Sequence, residues 1–198
     1  MSDIFCITNR TLCPGDFLRQ IEAVAQAAPA AIILREKDLT EAEYMRLAES
    51  VLAICHKHHV PCILHTFVQA TIRLQAGAIH LPLPILRQMT PEDKAQFSVI
   101  GASCHSVADA IEAEGLGCTY VTAGHVFATD CKKGLPPRGL TFLREVCESV
   151  AIPVYAIGGI GPDNIRSVRS ASVAGACLMS SLMRCPDPQA FLNQFSLI

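Results

Sequence analysis

His125 opens a segment dense in groups that could do chemistry. It reads Gly-His-Val-Phe-Ala-Thr-Asp-Cys-Lys-Lys-Gly over residues 124–134, followed by Leu-Pro-Pro-Arg-Gly to residue 139. An imidazole takes up and releases a proton near neutral pH, so His125 is the natural single residue for a proton shift. Thr129 and Cys131 add a hydroxyl and a thiol, and Lys132 or Lys133 could hold an anionic group as a point charge. The bland alternative for the lysine pair is a solvated basic turn. A second grouping is Ile-Gly-Gly-Ile at 157–160, where Gly158 and Gly159 expose backbone N–H groups. Ser180 and Ser181 add hydroxyls and further N–H donors, which together suit a phosphate. A Gly-Gly pair alone reads equally well as a tight turn. An anion between Gly158-Gly159 and Ser180-Ser181 is therefore the expectation.

The other histidines divide by context. His56, His58 and His59 fall in and just past the end of an amphipathic stretch, where positive charge suits a helix dipole. His80, between Ile79 and Leu81, reads as a core residue as readily as a site residue, and His65 and His105 are intermediate. The ten cysteines include no Cys-x-x-Cys pair, and the spacings Cys6 to Cys13 and Cys55 to Cys62 match no zinc framework. They are expected to be reduced and mostly buried, and only Cys131 lies inside a motif.

These groups need a scaffold that brings distant segments together. Eight short apolar runs read as strands: Ile4 to Thr8, Ala31 to Leu34, Cys62 to Leu64, Ala78 to Leu81, Val99 to Gly101, Tyr120 to Ala123, Pro153 to Ile157 and Ala176 to Met179. Amphipathic helices fit between them: Gly15 to Ala27, Thr40 to His58, Phe67 to Gln75, Ser106 to Glu114, Leu140 to Ser149, Asp163 to Ala171 and Pro188 to Phe195. Thr40 with Glu43 forms a capping-box signature, and Ser106 with Asp109 a weaker one. Three prolines between Pro82 and Gln96 predict a loop holding one short irregular helix. The alternation gives an α/β single domain, a closed (β/α)8 TIM barrel, with a doubly wound open sheet as the alternative.

In either fold the chemistry sits beyond the carboxyl ends of the strands. Arg35 and Lys37 follow the second strand, His65 the third, and His80 ends the fourth. Ser103 and His105 follow the fifth, His125 the sixth, Gly158 and Gly159 the seventh, and Ser180 and Ser181 the eighth. This set is expected on one rim. Sixteen basic against eighteen acidic residues leave no footprint for nucleic acid or an anionic membrane, so a small molecule is the expected partner. Neither a signal peptide nor a long apolar run is visible, which points to the cytoplasm. Oligomeric state stays open, a homo-oligomer included.

The chain resembles the thiamine phosphate synthase and TenI superfamily of (β/α)8 barrels. The resemblance runs through Ile33-Leu-Arg-Glu-Lys, Ala78-Ile-His-Leu, Gly101-Ala-Ser-Cys-His, the 124–134 segment, Ala156-Ile-Gly-Gly-Ile and Leu178-Met-Ser-Ser. A typical synthase carries Gln before the Leu-Arg of the second strand, Asn-Asp after the third, and Gly-Gln with a nearby Asp after the fourth. The two aspartates there bind magnesium. This chain has Ile33, His65-Thr66 and Pro82-Leu83-Pro84-Ile85 in those places. The 124–134 segment resembles the TenI branch, whose thiazole tautomerases carry Gly-His-Val-Phe and Thr-Asp-Cys-Lys-Lys-Gly. The resemblance implies an isomerase of thiamine biosynthesis acting on a carboxythiazole phosphate without metal or organic cofactor. It makes His125 the catalytic acid/base and Gly158, Gly159, Met179 and Ser180 the phosphate site. Arg35 and Lys132 become basic groups facing the ring or its carboxylate, and Lys37, Ser103, Thr129 and Ser181 complete the substrate-binding set. A divergent synthase and a non-catalytic ligand-binding protein are the competing readings.

Overall fold

The computed structural model describes residues 3–132 and 134–196. Eight parallel strands close into a barrel in chain order. They are β1 Ile4–Ile7, β2 Ala31–Leu34, β3 Cys62–His65, β4 Ala78–Pro82, β5 Val99–Cys104, β6 Tyr120–Gly124, β7 Val154–Ile157 and β8 Gly175–Leu178. Closure rests on β1 pairing with both β2 and β8, with Phe5 opposite Ala31 on one side and Cys177 on the other. The closed barrel, not the open sheet, is the architecture.

Each strand is apolar on both faces because both faces are covered. Phe5, Ile7, Ala31, Ile33, Ile63, Tyr120 and Cys177 fill the barrel interior, with Tyr155 and Ile157 packed against them. The alternate residues, such as Ile4, Cys6, Ile32 and Leu34, face the outer helices. Phe5 stacks on Tyr155 at 4.0 Å between ring centroids and meets Tyr120 edge-on at 5.6 Å, closing the barrel below the site.

The outer layer comprises α1 Phe17–Gln26, α2 Glu41–Lys57, α3 Val68–Arg73, α4 Leu83–Leu86, α5 Pro91–Lys94, α6 Val107–Gly115, α7 Gly139–Ser149, α8 Ile165–Arg169, α9 Ser180–Met183 and α10 Pro188–Ser196. The start of α2 carries the full capping box, with Glu43 N–H donating to the Thr40 hydroxyl and the Glu43 carboxylate accepting from Thr40 N–H. At α6 only half of it forms. Ser106 caps Asp109 N–H, but the Asp109 carboxylate accepts from His105 N–H at 2.7 Å rather than from the cap residue. The proline-rich stretch holds two short helices rather than the expected one. Pro84 and Pro91 lie in the first turns of α4 and α5, where a missing N–H costs nothing. The short helix α9 is a further addition to the elements expected from sequence. Met179 leaves β8 and becomes the residue preceding this helix. No helix among the described residues is long and apolar enough to cross a membrane.

Tyr44 of α2 locks the outer layer to two strand ends. Its fully buried hydroxyl donates to the Leu34 carbonyl and accepts from His65 N–H, both at 2.7 Å. Tyr44→Phe strands both backbone groups away from water, and it is expected to destabilise the protein by about 1–3 kcal/mol. Urea unfolding measures this, and an unchanged midpoint would contradict the assignment.

Candidate active site

The carboxyl ends of the strands surround a cavity of about 510 Å³. Its wall contains the acid/base and substrate-binding candidates named from sequence: Arg35 and Lys37 after β2, Ser103 in β5, His125, Thr129 and Lys132 after β6, Gly158 and Gly159 after β7, and Met179, Ser180 and Ser181 after β8. Lys133 lies outside the described residues. Ser103 belongs to β5 itself rather than to the loop beyond it, because that strand runs on to Cys104. The period of two then turns Val99, Gly101 and Ser103 inward while Ile100, Ala102 and Cys104 face the helices. His65, His80 and His105 join the wall as well, together with Arg87, Asp109 and Thr122.

The basic side of the cavity is set by an alternation of charges. In Arg35-Glu36-Lys37-Asp38, the first and third residues reach the cavity, while Glu36 turns back into the protein. There its carboxylate accepts from the Thr8 hydroxyl at 2.7 Å and from Arg10 N–H at 3.0 Å. The Thr8 oxygen in turn accepts from Arg35 N–H at 2.9 Å. Arg10 grips Asp38 with both terminal nitrogens at 2.6 Å. The segment bearing the two cations is thus anchored from behind. Partial burial, reinforced by the charges of Arg35 and Lys132, holds the Lys37 ammonium below its ordinary pKa. Three cations crowd one region, and the arrangement favours a bound anion.

His125 follows directly on β6 and is 9% exposed. Its loop is pinned at both ends. Val126 N–H donates to the Ile157 carbonyl at 2.9 Å and Phe127 N–H to the Gly158 carbonyl at 3.0 Å. Arg138 N–H returns to the His125 carbonyl and Gly139 N–H to that of Val126, each at 3.0 Å. Gly158 is indispensable to this packing, since a Cβ there would lie 2.3 Å from the Cβ of His125. On the same wall, α9 begins at Ser180, so its first backbone N–H groups have no partner within the helix. Barrels of this type commonly hold phosphate between the loops after β7 and β8 and the start of a short extra helix.

His65 and His80 form a stacked pair, with ring centroids 5.6 Å apart, on the floor of the cavity. Burial first, and the nearby Arg35 and Lys37 charges second, push His80 down to about 3. Burial, then His80, Arg35 and Lys37, hold His65 well below its ordinary value. Both imidazoles are neutral in the fold at neutral pH, while in the unfolded chain they protonate below about pH 6.5. The unfolded state therefore binds more protons as pH falls from about 6.5 toward 3, and stability drops over that window. The expected slope is up to about 1.4 kcal/mol per pH unit for each imidazole. Unfolding midpoints at pH 7.5 and 5 measure it, and His80→Gln should flatten the dependence. Equal midpoints for the wild type would refute it.

A family model described as thiamine monophosphate synthase matches residues 4–182. The chain belongs to this family. Thiamine monophosphate synthase relatives include thiamine-phosphate synthase 2 of Streptococcus pneumoniae, 30% identical over 97% of this chain and 92% of that one. The thiamine-phosphate synthase of Clostridium novyi is 32% identical over 94% of this chain and 93% of its own. Among solved structures, thiamine phosphate pyrophosphorylase from Pyrococcus furiosus superposes with a TM-score of 0.83 at 28% identity, covering 98% of this chain and 93% of that chain.

At the two positions where the sequence resemblance places a synthase's magnesium ligands, this chain has Thr66 and Ile85. Thr66 adopts a positive φ of 73° and its hydroxyl pairs with His65 Nδ1, while Ile85 packs against the core. Asp109 is the one carboxylate among the described residues lining the cavity, and it already accepts from His105 N–H. Among the described residues, no group of three or more His, Cys, Asp or Glu is placed to hold a metal ion. A hard cation that wants several oxygen ligands does not fit this donor set.

Proposed function

We propose that the protein is a thiazole tautomerase of thiamine biosynthesis, which aromatises a carboxythiazole phosphate by proton transfer through His125. The observation that carries this reading is a single cavity whose wall holds the His125 imidazole together with two sets of anion-favouring groups. Gly158, Gly159, Ser180 and Ser181 form one set, and Arg35, Lys37 and Lys132 the other. A substrate with a phosphate at one end and a carboxylate at the other spans them. The reaction removes a proton from ring carbon 2 and delivers one to the exocyclic carbon. Aromaticity then supplies the driving force, so positioning and acid/base chemistry suffice. Thr129 and Met179 complete the cavity wall.

The synthase names of the relatives favour a second reading, coupling of a pyrimidine pyrophosphate to a thiazole phosphate. The two are separated by one pair of assays. The unaromatised carboxythiazole phosphate should gain its aromatic ultraviolet absorbance when the enzyme is added, unaffected by a chelator. Pyrimidine pyrophosphate with thiazole phosphate and magnesium should release pyrophosphate no faster than without enzyme. Magnesium-dependent release at ordinary enzymatic rates would install the synthase reading instead. Binding of the carboxythiazole phosphate without turnover would make the protein a ligand-binding relative.

A further inference from the structure

The interior of the barrel contains a hydrogen-bonded chain whose direction can be deduced. His80, Gly101 and Tyr120 are neighbours in register on three adjacent strands. A Cβ on Gly101 would lie 2.1 Å from Tyr120 Cζ, so the absence of a side chain lets the phenol lie across β5 and reach His80. Tyr120 Oη and His80 Nδ1 are 2.9 Å apart, and His80 Nε2 and Ser103 Oγ are likewise 2.9 Å apart. Tyr120 is 4% exposed and His80 3%, whereas Ser103 stands on the cavity wall.

Only one polarity satisfies every group. A neutral imidazole has one donor and one acceptor nitrogen, while each hydroxyl can play either part. If His80 donated from Nδ1, the buried phenolic hydrogen of Tyr120 would have no acceptor among the described residues, an arrangement that proteins avoid. Tyr120 must therefore donate to Nδ1. The imidazole proton is then on Nε2 and is donated to Ser103 Oγ. The serine hydrogen is left to point into the cavity. Burial keeps His80 neutral across the working pH range, so this assignment is not undone by protonation.

We infer that Tyr120 and His80 are positioning residues that leave the Ser103 hydroxyl hydrogen pointing into the cavity, so that the site favours a ligand that presents an acceptor atom there. The polarity is a property of the free protein. That the acceptor is a ring nitrogen or carboxylate oxygen of a carboxythiazole phosphate rests on the tautomerase reading above. A ligand offering only an amino group or a protonated ring nitrogen at that point would reach the second lone pair of Ser103 Oγ but leave the serine hydrogen without an acceptor, and should bind more weakly.

The first test needs no ligand. Nitrogen-15 NMR of the full chain labelled at histidine reports the tautomer of His80, with His80→Gln identifying its signals. Protonation at Nε2 is expected, and protonation at Nδ1 would overturn the inference. This outcome is independent of what the enzyme turns over. The second test is calorimetric titration with aromatic carboxythiazole phosphate. Ser103→Ala is expected to weaken binding roughly tenfold, the worth of a strong hydrogen bond, and Tyr120→Phe about threefold although it does not touch the cavity. The double variant should bind as Ser103→Ala alone does, because Tyr120 acts only through the serine. Additive losses, or a Tyr120→Phe affinity equal to wild type, would overturn it. If wild type fails to bind this compound while His80 carries its proton on Nε2, the tautomerase reading falls and the polarity stands.

Discussion

His125→Gln is expected to lower the rate of carboxythiazole phosphate aromatisation by ~10²- to 10⁴-fold, the usual worth of a positioned acid or base. Glutamine keeps similar bulk and hydrogen-bonding capacity but does not titrate. The long contact from His125 Nε2 to the Leu135 carbonyl, 3.4 Å, can be kept by an amide N–H, so the loop has no reason to move. The groups proposed to hold the two ends of the substrate, Gly159 and Ser180 for the phosphate and Arg35 and Lys132 for the carboxylate, would still face the cavity. The loss should therefore fall on kcat, with product affinity nearly unchanged, because the imidazole acts chiefly in the transition state. Stopped-flow absorbance gives the first quantity and calorimetry the second. Turnover within a few-fold of wild type would make His125 structural. His105 would then be the next candidate, since it faces the same cavity and its Nδ1 is held by the Gly124 carbonyl at 3.0 Å.

The barrel is legible in the sequence because each strand is short, continuously apolar and followed by a chemically distinctive residue. Arg35, His65, His125, Gly158 and Ser180 each follow or end such a run, and chain order alone places these ends on one rim. Direction and depth are what the sequence does not convey. The apolar run of the fifth strand reads as ending at Gly101, which puts Ser103 in a loop, whereas the strand continues and its alternation turns that hydroxyl inward. His80 reads as either core or site, and the structure makes it a buried residue that also lines the cavity. Glu36 carries no local signature of burial, although alternation along Arg35-Glu36-Lys37-Asp38 offers a clue. The four-residue helices α4, α5 and α9 are too short to show a helical period, and propensity contributes little over one turn.

Gly158→Ala should show that the glycine pair serves the histidine as much as the phosphate. Gly158 has φ +101°, a region that L side chains rarely enter, and an added methyl would meet both the Cβ of His125 at 2.3 Å and its Cα at 2.7 Å. Neither contact is with the flexible end of a side chain. Relief requires the backbone at His125 to move away from β7, against the bonds from Val126 N–H to the Ile157 carbonyl and from Phe127 N–H to the Gly158 carbonyl. A shift of about 1 Å in a reacting group is enough to cost on the order of 10²-fold in rate. Because the same substitution strains the loop proposed to bind phosphate, KM should rise as well, which distinguishes it from His125→Gln. Gly161→Ala is the matched control, in the same loop but with no heavy atom within 4 Å of the added methyl and no positive φ, and it should leave both constants near wild type. Equal behaviour of the two alanine variants would mean that the His125 backbone does not depend on the close approach of Gly158, and the account of how β7 positions the imidazole would have to be abandoned.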